Sequence, residues 1–422
     1  MRSGQDLGRP RQALREMLRA ARLLAEVVKQ AGSVAVIIKF AIQIGGCSWT
    51  LTGSRLYTAL TFQRRVVVKN IVICLDGTNN KLRSAANSNV VRLFDLLDLR
   101  DASQQVAYYG PGVGTFSSPA AWTPVARDAS RYAGLLFGAG LRENLCGAYR
   151  YLMSVHEPGD RLFFFGFSRG AYTARALTGM LEVFGLFRPG SENLVPYAVS
   201  EYARQEKRIK DWAVLREYAR IHGRDMGQHS KDHIRVHFLG LWDTVKAAGN
   251  LWRQLRWPYT RQLPHVEVIR HAVSIDEKRR AYVDYHVDQP NPSHLFHTTQ
   301  DLEEVWFAGV HSDVGGMFEH GARLSDIPLK WIAEEAVHAG LLVRPRAYAK
   351  AQDVTNTEAA GTIHKMNPLW VLLGTRRRKV PAGAHVHASV ARRIESNPRY
   401  AARLPPDIVF VDEDWAIPSP AR

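Results

Sequence analysis

Short apolar runs recur along the chain and alternate with longer segments of helical pattern. KNIVICL at residues 69–75 and RLFFF at 161–165 each pass directly into a loop of glycine and small polar residues. IRVHFLGL at 234–241 and EVWFA at 304–308 do the same, and a further strand is predicted to end at Tyr109. Unbroken apolar runs of this length are typical of parallel strands that are buried on both faces of a sheet.

Helical patterns separate these runs. Apolar positions recur at helical spacing over residues 89–99, 141–156 and 171–181, and each segment follows a predicted strand. Strands that alternate with helices in this way form βαβ units. The pattern therefore predicts an α/β fold in which a mostly parallel sheet carries helices on both faces.

One strand leads into a sequence that indicates nucleophilic chemistry. GFSRG, at residues 166–170, has the form G-x-S-x-G and lies between a predicted strand and a predicted helix. In this context the chain turns sharply at the serine, and side chains at the two glycine positions would collide with the neighbouring turn. We therefore predict that Ser168 is a nucleophile exposed above the sheet, and that the amide of Arg169 is an oxyanion donor.

A serine nucleophile needs a base within hydrogen-bonding distance, and that base needs a third group to fix its tautomer. In α/β-hydrolases the acid and then the histidine follow the serine, each at the carboxyl end of a later strand. Asp243 and His311 meet both conditions. Asp313 is the secondary candidate for the acid, although the Gly-Gly pair after it favours a tight turn in which Asp313 binds backbone.

Two other histidines are weaker candidates for the base. His237 lies inside a predicted strand, and His271 precedes a charged segment of helical pattern. Histidines in such positions more often complete hydrogen bonds in the core or lie at the surface. We therefore assign a structural role to both.

The loop DGTNN follows the first predicted strand, at residues 76–80. Its backbone amides would supply a second oxyanion donor, and Gly77 would permit a close approach of the chain. We therefore predict that Asp76, Gly77 and Thr78 line the site. The triplet is similar to the Asp-x-Asp-Gly-Thr of certain phosphatases, but Cys74 stands where their nucleophilic aspartate would be. A phosphatase is therefore disfavoured.

Composition narrows the class of protein only moderately. The 422 residues are 46% hydrophobic and 23% charged, which argues against wholesale disorder and against several membrane spans. The formal charge of +16 is typical of a protein with a polyanionic neighbour, such as anionic lipid, and equally of a soluble basic protein without one. Because the basic residues are scattered and form no recognisable nucleic-acid-binding module, no nucleic acid is expected as partner. The three cysteines have no spacing that suggests disulfides or zinc, and the serine chemistry needs no cofactor or metal.

Three parts of the chain are predicted. Residues 1–68 form a helical and apolar extension, residues 69–338 form the catalytic domain, and residues 339–422 form an extension packed on that domain. A helical cap insertion is expected around 190–230. Within the first part, the apolar segment 33–52 has nearly the length of a membrane span, but a central lysine and a Gly-Gly pair favour an interfacial or buried segment.

Four motifs in order carry a family resemblance. They are LDGTNN at 75–80, GFSRGA at 166–171, GLWDTV at 240–245 and GVHSDVGG at 309–316. With them the chain resembles a widespread bacterial α/β-hydrolase-like family, long labelled a domain of unknown function, which includes phospholipase effectors of the type VI secretion system. The resemblance spans roughly residues 69–412, whereas the first seventy residues match nothing in it.

The resemblance implies a phospholipase of the A type, which hydrolyses an acyl ester of a glycerophospholipid, with Ser168, Asp243 and His311 in the triad positions. It also implies a phospholipid or anionic membrane surface as partner, and a secretion-system or immunity protein as a further partner. The chain is expected to be cytoplasmic in the producing cell or membrane-associated, with delivery by a secretion system. Two alternatives stay open: a non-lipid esterase or amidase on the same scaffold, and a non-catalytic binding protein.

Overall fold

The computed structural model divides the chain into two units, Met1–Val66 and Val67–Arg422. It describes residues 41–44, 47–50, 68–77, 86–112, 139–204, 212–224, 234–246, 248–250, 253–254, 257–280, 282–289, 300–318, 323–366, 370–371, 374–418 and 420.

The first unit contains an antiparallel pair of short strands, β1 (Ala41–Ile44) and β2 (Cys47–Thr50). Both lie within the apolar segment 33–52, for which an interfacial or buried segment is predicted. The rest of that segment and the rest of the extension predicted to be helical and apolar, up to residue 67, lie outside the described residues. Contact of this segment with a membrane therefore stays a prediction.

The second unit is built on one large sheet. The described strands of this unit, of which all but β7 and β8 belong to the large sheet, are β3 (Asn70–Leu75), β4 (Gln105–Gly110), β5 (Arg161–Phe167), β6 (Val236–Trp242), β7 (Ala248–Asn250), β8 (Arg253–Gln254), β9 (Val266–Ser274), β10 (Asp301–Phe307), β11 (His385–His387) and β12 (Val409–Val411). The sheet has the order β12-β11-β10-β9-β6-β5-β3-β4, and each neighbouring pair is parallel. The strands β7 and β8 form a separate antiparallel pair.

Helices cover both faces of this sheet. The α-helices of the described residues are Asn89–Leu96, Ala139–Val155, Arg169–Phe184, Val195–Arg204, Trp212–His222, His311–Gly315, Asp326–His338, Pro345–Gln352, Asn356–Ala359 and Ser389–Ser396. Short 3₁₀ helices lie at Glu192–Leu194, Arg323–Ser325 and Pro398–Arg403. The predicted fold class, an α/β-hydrolase-like parallel sheet between two helical layers, is confirmed.

In β3 and β5, alternate residues pack into two different apolar cores. Ile71 and Ile73 of β3 pack with Phe164 of β5 in the core beneath the helix Arg169–Phe184. Val72 and Phe163 point the opposite way, into the core beneath the helix Asp326–His338. Because successive side chains of a strand point to opposite faces, strands that are apolar at every position fit only a sheet covered on both sides.

The register of the strands aligns their carboxyl ends. Leu75 lies opposite Gly166, and Phe167 lies opposite Trp242. Ser274, the last residue of β9, lies opposite Phe307. The loops that follow β3, β5, β6, β9 and β10 therefore leave the sheet at one edge, which is where ligands bind in open α/β sheets.

The sequence pattern does not predict β9, which lies in the middle of the sheet. Its run VEVIRHAVS contains Arg270 and His271, which are 8% and 1% exposed. Arg270 forms ion pairs with Asp301 and Glu335, and His271 binds Glu304. Paired charges can be buried where single ones cannot, so the strand is compatible with the core although its sequence is not uniformly apolar.

The region predicted as a helical cap contains the helices Val195–Arg204 and Trp212–His222. They pack on the same core as the helix Arg169–Phe184. The carbonyl oxygen of His222 accepts from the amide of Arg188, just past the end of the helix Arg169–Phe184 that is remote from Ser168. In the described residues, no helix combines the length and the apolar character that a bilayer span requires.

Candidate active site

Ser168 lies at the tight turn between β5 and the helix Arg169–Phe184. Its backbone has φ 59° and ψ −121°, in the region that side chains rarely adopt, and such strain costs on the order of 1–3 kcal/mol. A Cβ atom at Gly166 would lie 2.6 Å from Cα of Ala171, so only glycine fits where the chain doubles back. The sequence therefore folds into the predicted elbow, and Ser168 retains 6% exposure.

Gly170 allows the helix to approach the loop after β3. A Cβ atom there would lie 2.1 Å from the carbonyl oxygen of Leu75 and 2.5 Å from that of Asp76. We expect Gly170→Ala to lower the free energy of unfolding by about 1–3 kcal/mol, the usual cost of overpacking, and to slow labelling of Ser168 by a fluorophosphonate. Gly179→Ala is the matched control. Gly179 lies on the same helix as Gly170 but remote from the elbow, and a Cβ atom there would lie 2.3 Å from the hydroxyl oxygen of Tyr202 on the helix Val195–Arg204.

Thermal unfolding and the labelling rate of the folded protein separate the two effects of these substitutions. Both variants should unfold at lower temperature, and only Gly170→Ala should label more slowly. Equal labelling rates in the two variants would mean that the contact of Gly170 with the β3 loop does not shape the site.

Three of the predicted residues form a continuous hydrogen-bonded chain. Nε2 of His311 lies 2.8 Å from Oγ of Ser168, and Nδ1 of His311 lies 2.5 Å from Oδ2 of Asp243. Asp243 follows β6 directly and His311 begins a short helix after β10. All three are nearly buried, with exposed fractions of 6%, 1% and 4% for Ser168, Asp243 and His311.

The ring of His311 is held from several sides. Its backbone amide donates to Oε2 of Glu277 at 3.1 Å, and Glu277 is paired with Arg279 at 2.7 Å. The ring centroid lies 4.6 Å from that of Phe167 and 4.8 Å from that of Tyr282, which meets it edge-on. These contacts leave the imidazole little rotational freedom, as a base in a serine hydrolase requires.

The carboxylate of Asp243 has four donors besides His311. The guanidinium of Arg378 donates to Oδ1 at 2.5 Å and to Oδ2 at 3.1 Å. The amide of Ser274 donates to Oδ1 at 2.9 Å, and its hydroxyl donates to Oδ2 at 3.2 Å. The buried charge is therefore compensated by donors from two other parts of the chain.

The electrostatics of the pair follow from these contacts. Burial lowers the pKa of His311, while the hydrogen bond to Asp243 opposes that shift. Burial alone would raise the pKa of Asp243, but the charges of Arg378 and His311 outweigh it and hold that pKa well below its usual range. A charged Asp243 accepts a hydrogen bond from the N–H group at Nδ1 of a neutral His311. The lone pair of Nε2 then faces Ser168 and can take up the proton of its hydroxyl.

Asp313 lies in the same helix as His311 but binds other groups. Its Oδ2 accepts from the amide of Val310 at 2.9 Å, and its Oδ1 lies 2.6 Å from Nδ1 of His364. Burial raises the pKa of Asp313, although its hydrogen bonds oppose this. The contacts of Asp313 are therefore those of a residue that caps the start of the His311 helix.

The loop after β3 lies beside the elbow, but its described amides have other acceptors. The amide of Asp76 donates to the last carbonyl of β4 at 3.0 Å, and that of Gly77 donates to Oδ1 of Asp76 at 2.6 Å. Oδ2 of Asp76 accepts from Ser88 and Tyr109. The amides of Asp76 and Gly77 therefore bind acceptors within the protein in this structure, and their role as oxyanion donors stays a prediction. Thr78 lies outside the described residues.

The two weaker histidine candidates lie outside the hydrogen-bonded chain. His237 binds Glu267 at the flank of β6. His271 lies within β9 and not before a helix, and its Nδ1 binds Glu304 while its Nε2 accepts from the amide of Thr244 at 3.2 Å. His271 therefore binds the backbone of Thr244, the residue that follows Asp243.

A second set of serine, histidine and aspartate lies in the core near the carboxyl end of the chain. Oγ of Ser389 lies 2.8 Å from Nδ1 of His387, whose Nε2 lies 2.9 Å from Oδ2 of Asp412. The backbone amide of Ser389 also donates to Nδ1 of His387, at 3.2 Å. Ser389 is 3% exposed and begins a helix without left-handed backbone. This set lacks the elbow that presents Ser168.

Sequence reasoning misses the groups that support these three residues. Arg378, Ser274, Glu277, Tyr282 and His364 come from segments far away in the chain, and none belongs to a motif that the sequence analysis used. The signal that could have found Ser274 and Glu277 is their position just at and after a strand end, but β9 itself is not predicted. No signal in a single sequence identifies Arg378 within its run of basic residues.

Comparisons with known proteins give one family. Residues 69–335 match the family described as "T6SS, Phospholipase effector Tle1-like, catalytic domain". Among curated proteins, the uncharacterized protein YEL023C of Saccharomyces cerevisiae is 37% identical over 221 residues, which are 50% of this chain and 31% of that protein. The chain thus spans about a third of this relative's length.

Two solved structures are also similar. A crystal structure of an uncharacterized protein from Pseudomonas aeruginosa has 20% identity and a TM-score of 0.39, covering 76% of this chain and 54% of that one. The structure of the Tle1 effector bound to the VgrG spike from the type 6 secretion system has 16% identity and a TM-score of 0.32, covering 70% and 57%.

Proposed function

Because the chain belongs to the family of T6SS Tle1-like phospholipase effectors, whose catalytic domain it contains, we propose that it hydrolyses acyl esters of glycerophospholipids through an acyl-enzyme formed on Ser168. The observation that supports this most strongly is the hydrogen bond of 2.8 Å between Oγ of Ser168 and Nε2 of His311 at a strained strand-to-helix turn. A serine in that position is prepared to lose its proton as it attacks a carbonyl.

The first half of the proposed reaction acylates the enzyme. Nε2 of His311 takes the proton of Ser168 while Oγ bonds to the ester carbonyl carbon, and the carbonyl oxygen becomes an oxyanion next to the amide of Arg169. Asp243 stabilises the imidazolium that forms. When the ester C–O bond breaks, His311 gives its proton to the leaving alcohol, and a lysophospholipid departs.

The second half releases the acid. His311 takes a proton from water, the hydroxide adds to the acyl carbon, and the bond to Oγ breaks as His311 returns the proton to Ser168. The products are a fatty acid and a lysophospholipid, and the enzyme regains its starting protonation state. The net charge of +16 supports an anionic lipid surface as the place of reaction. Family membership supports delivery by a secretion system.

The test is incubation of the full chain with vesicles of phosphatidylglycerol or phosphatidylcholine that carry different acyl chains at the two positions. Mass spectrometry should detect one free fatty acid and the matching lysophospholipid, with faster release from the anionic vesicles. The Ser168→Ala variant is the control for contaminating lipase.

Other outcomes would favour the alternatives. Hydrolysis of a soluble nitrophenyl ester but not of vesicles would indicate a non-lipid esterase. Absence of turnover on every ester, together with unchanged vesicle binding by Ser168→Ala, would indicate a binding protein and contradict the proposed function.

A further inference from the structure

The surroundings of His311 come in part from beyond residue 335, where the match to the family ends. Basic side chains of this later segment bind carboxylates that lie on the loops after β6, β9 and β10. The pairs are Arg378 with Asp243, Arg403 with Asp276, and His364 with Asp313.

Arg378 makes the most extensive of these contacts. Its side chain is 3% exposed. Besides Asp243, its guanidinium donates to the carbonyl oxygen of Ser274 at 3.2 Å, to the hydroxyl of Ser274 at 2.7 Å and to the carbonyl oxygen of Tyr282 at 2.8 Å. A planar group that fits both oxygens of one carboxylate fixes its orientation as well as its charge. Arg378 therefore ties the loop after β6 to the loop after β9.

Both His311 and Arg378 contact the negatively charged carboxylate of Asp243, and each weakens the electrostatic effect of that carboxylate on the other. Asp243 stabilises a proton on His311, whereas a positive charge beside the pair weakens that stabilisation. The other charged groups that face His311 are Glu277 and Arg279, which follow β9 and are paired with each other. Among the described residues, Arg378 is the permanently charged cation that contacts the carboxylate of Asp243 directly.

We propose that Arg378 is a positioning residue of the active site, which holds the carboxylate of Asp243 against His311 and keeps that pair from taking up a proton near neutral pH. The proposal rests on the proposed function, because it assigns His311 the role of base. It also means that the active site is complete only with a segment that lies outside the family's catalytic domain.

The test follows the rate of fluorophosphonate labelling between about pH 5 and 9 in the full chain. In Arg378→Gln the acidic limb of this profile should move upward by about one pH unit, because the pair holds its proton more tightly once the cation is gone. The maximal rate should fall about tenfold, and not further, because Ser274 still orients Asp243. Arg377→Gln is the matched control, since Arg377 is the exposed neighbour of the same charge.

Each outcome decides a separate question. A wild-type chain that does not label would overturn the proposed function itself. A labelled Arg378→Gln variant whose acidic limb stays at the wild-type pH, with only its stability lowered, would leave Arg378 a purely structural residue. If Arg378→Gln does not fold, Arg378→Lys carries the test: the limb should stay in place while the maximal rate falls. A shifted limb or a wild-type maximal rate in Arg378→Lys would overturn the proposal.

Discussion

Replacement of Ser168 by alanine is expected to lower ester turnover by about a million-fold, which is the effect of removing the nucleophile from a serine hydrolase of this kind. Labelling by a fluorophosphonate should disappear as well, because Oγ is the atom that displaces fluoride from phosphorus. The fold should be unaffected, since alanine is smaller and the turn is already formed by glycines. Turnover, probe labelling and circular dichroism measure the three effects.

The protein contains its own control for this experiment. Ser389 also binds a histidine, His387, which in turn binds Asp412, but it does not lie on a strand-to-helix elbow. We expect Ser389→Ala to label as the wild type does. Probe that remains attached in Ser168→Ala, at Ser389 or at any other serine, would remove the elbow from the mechanism.

Replacement of Asp243 by asparagine is expected to lower turnover by about 10⁴-fold. An asparagine amide would favour the wrong tautomer of His311 and would not stabilise the imidazolium. Here the change has a second consequence, because Arg378 would lose the negative charge of Asp243 and one of the two oxygens that accept its hydrogen bonds in a buried site. Turnover must therefore be expressed per folded molecule, with the folded fraction taken from thermal unfolding.

Asp313→Asn is the matched control, because it makes the same chemical change in the other acid near His311. Asp313 binds Val310 and His364, so its replacement should affect stability more than turnover. Should Asp313→Asn lose more activity per folded molecule than Asp243→Asn, the role of the acid would pass to Asp313.

The parts of the fold that the sequence predicts are those with a local cause. β3, β5 and β6 are continuous apolar runs, and the elbow at Ser168 is contained within five residues. Each can be recognised from neighbours in the chain, because a strand buried on both faces needs apolar residues at every position. Ser168 and Asp243 then follow the ends of β5 and β6, and His311 follows the end of the strand predicted at 304–308.

The sequence does not predict β9, because the features that stabilise this strand come from other parts of the chain. Arg270 and His271 break its apolar run, and the carboxylates that compensate them belong to other elements, among them Asp301 and Glu304 of β10. Only the tertiary structure shows that these charges are paired. The two short strands β11 and β12 are missed too, since three residues carry no periodic signal.

The contacts that complete the candidate site depend most on tertiary structure. Arg378 is separated from Asp243 by 135 residues, and it lies in the basic run 376–379, where its neighbours Arg376 and Arg377 are exposed. Composition and spacing do not distinguish one arginine of this run from the next. What distinguishes Arg378 is its set of contacts with residues that follow or end β6 and β9.

The position of β11 and β12 at the outer side of β10 has a consequence for the order in which this protein becomes active during its synthesis. A chain leaves the ribosome from its amino end, so Ser168, Asp243 and His311 all emerge before Arg378. Until β11 follows, β10 has one unpaired edge, and Asp243 has no guanidinium beside it. On the proposed function, a ribosome-bound chain therefore contains Ser168, Asp243 and His311 before it contains Arg378, and full activity would await the synthesis of Arg378 and β11.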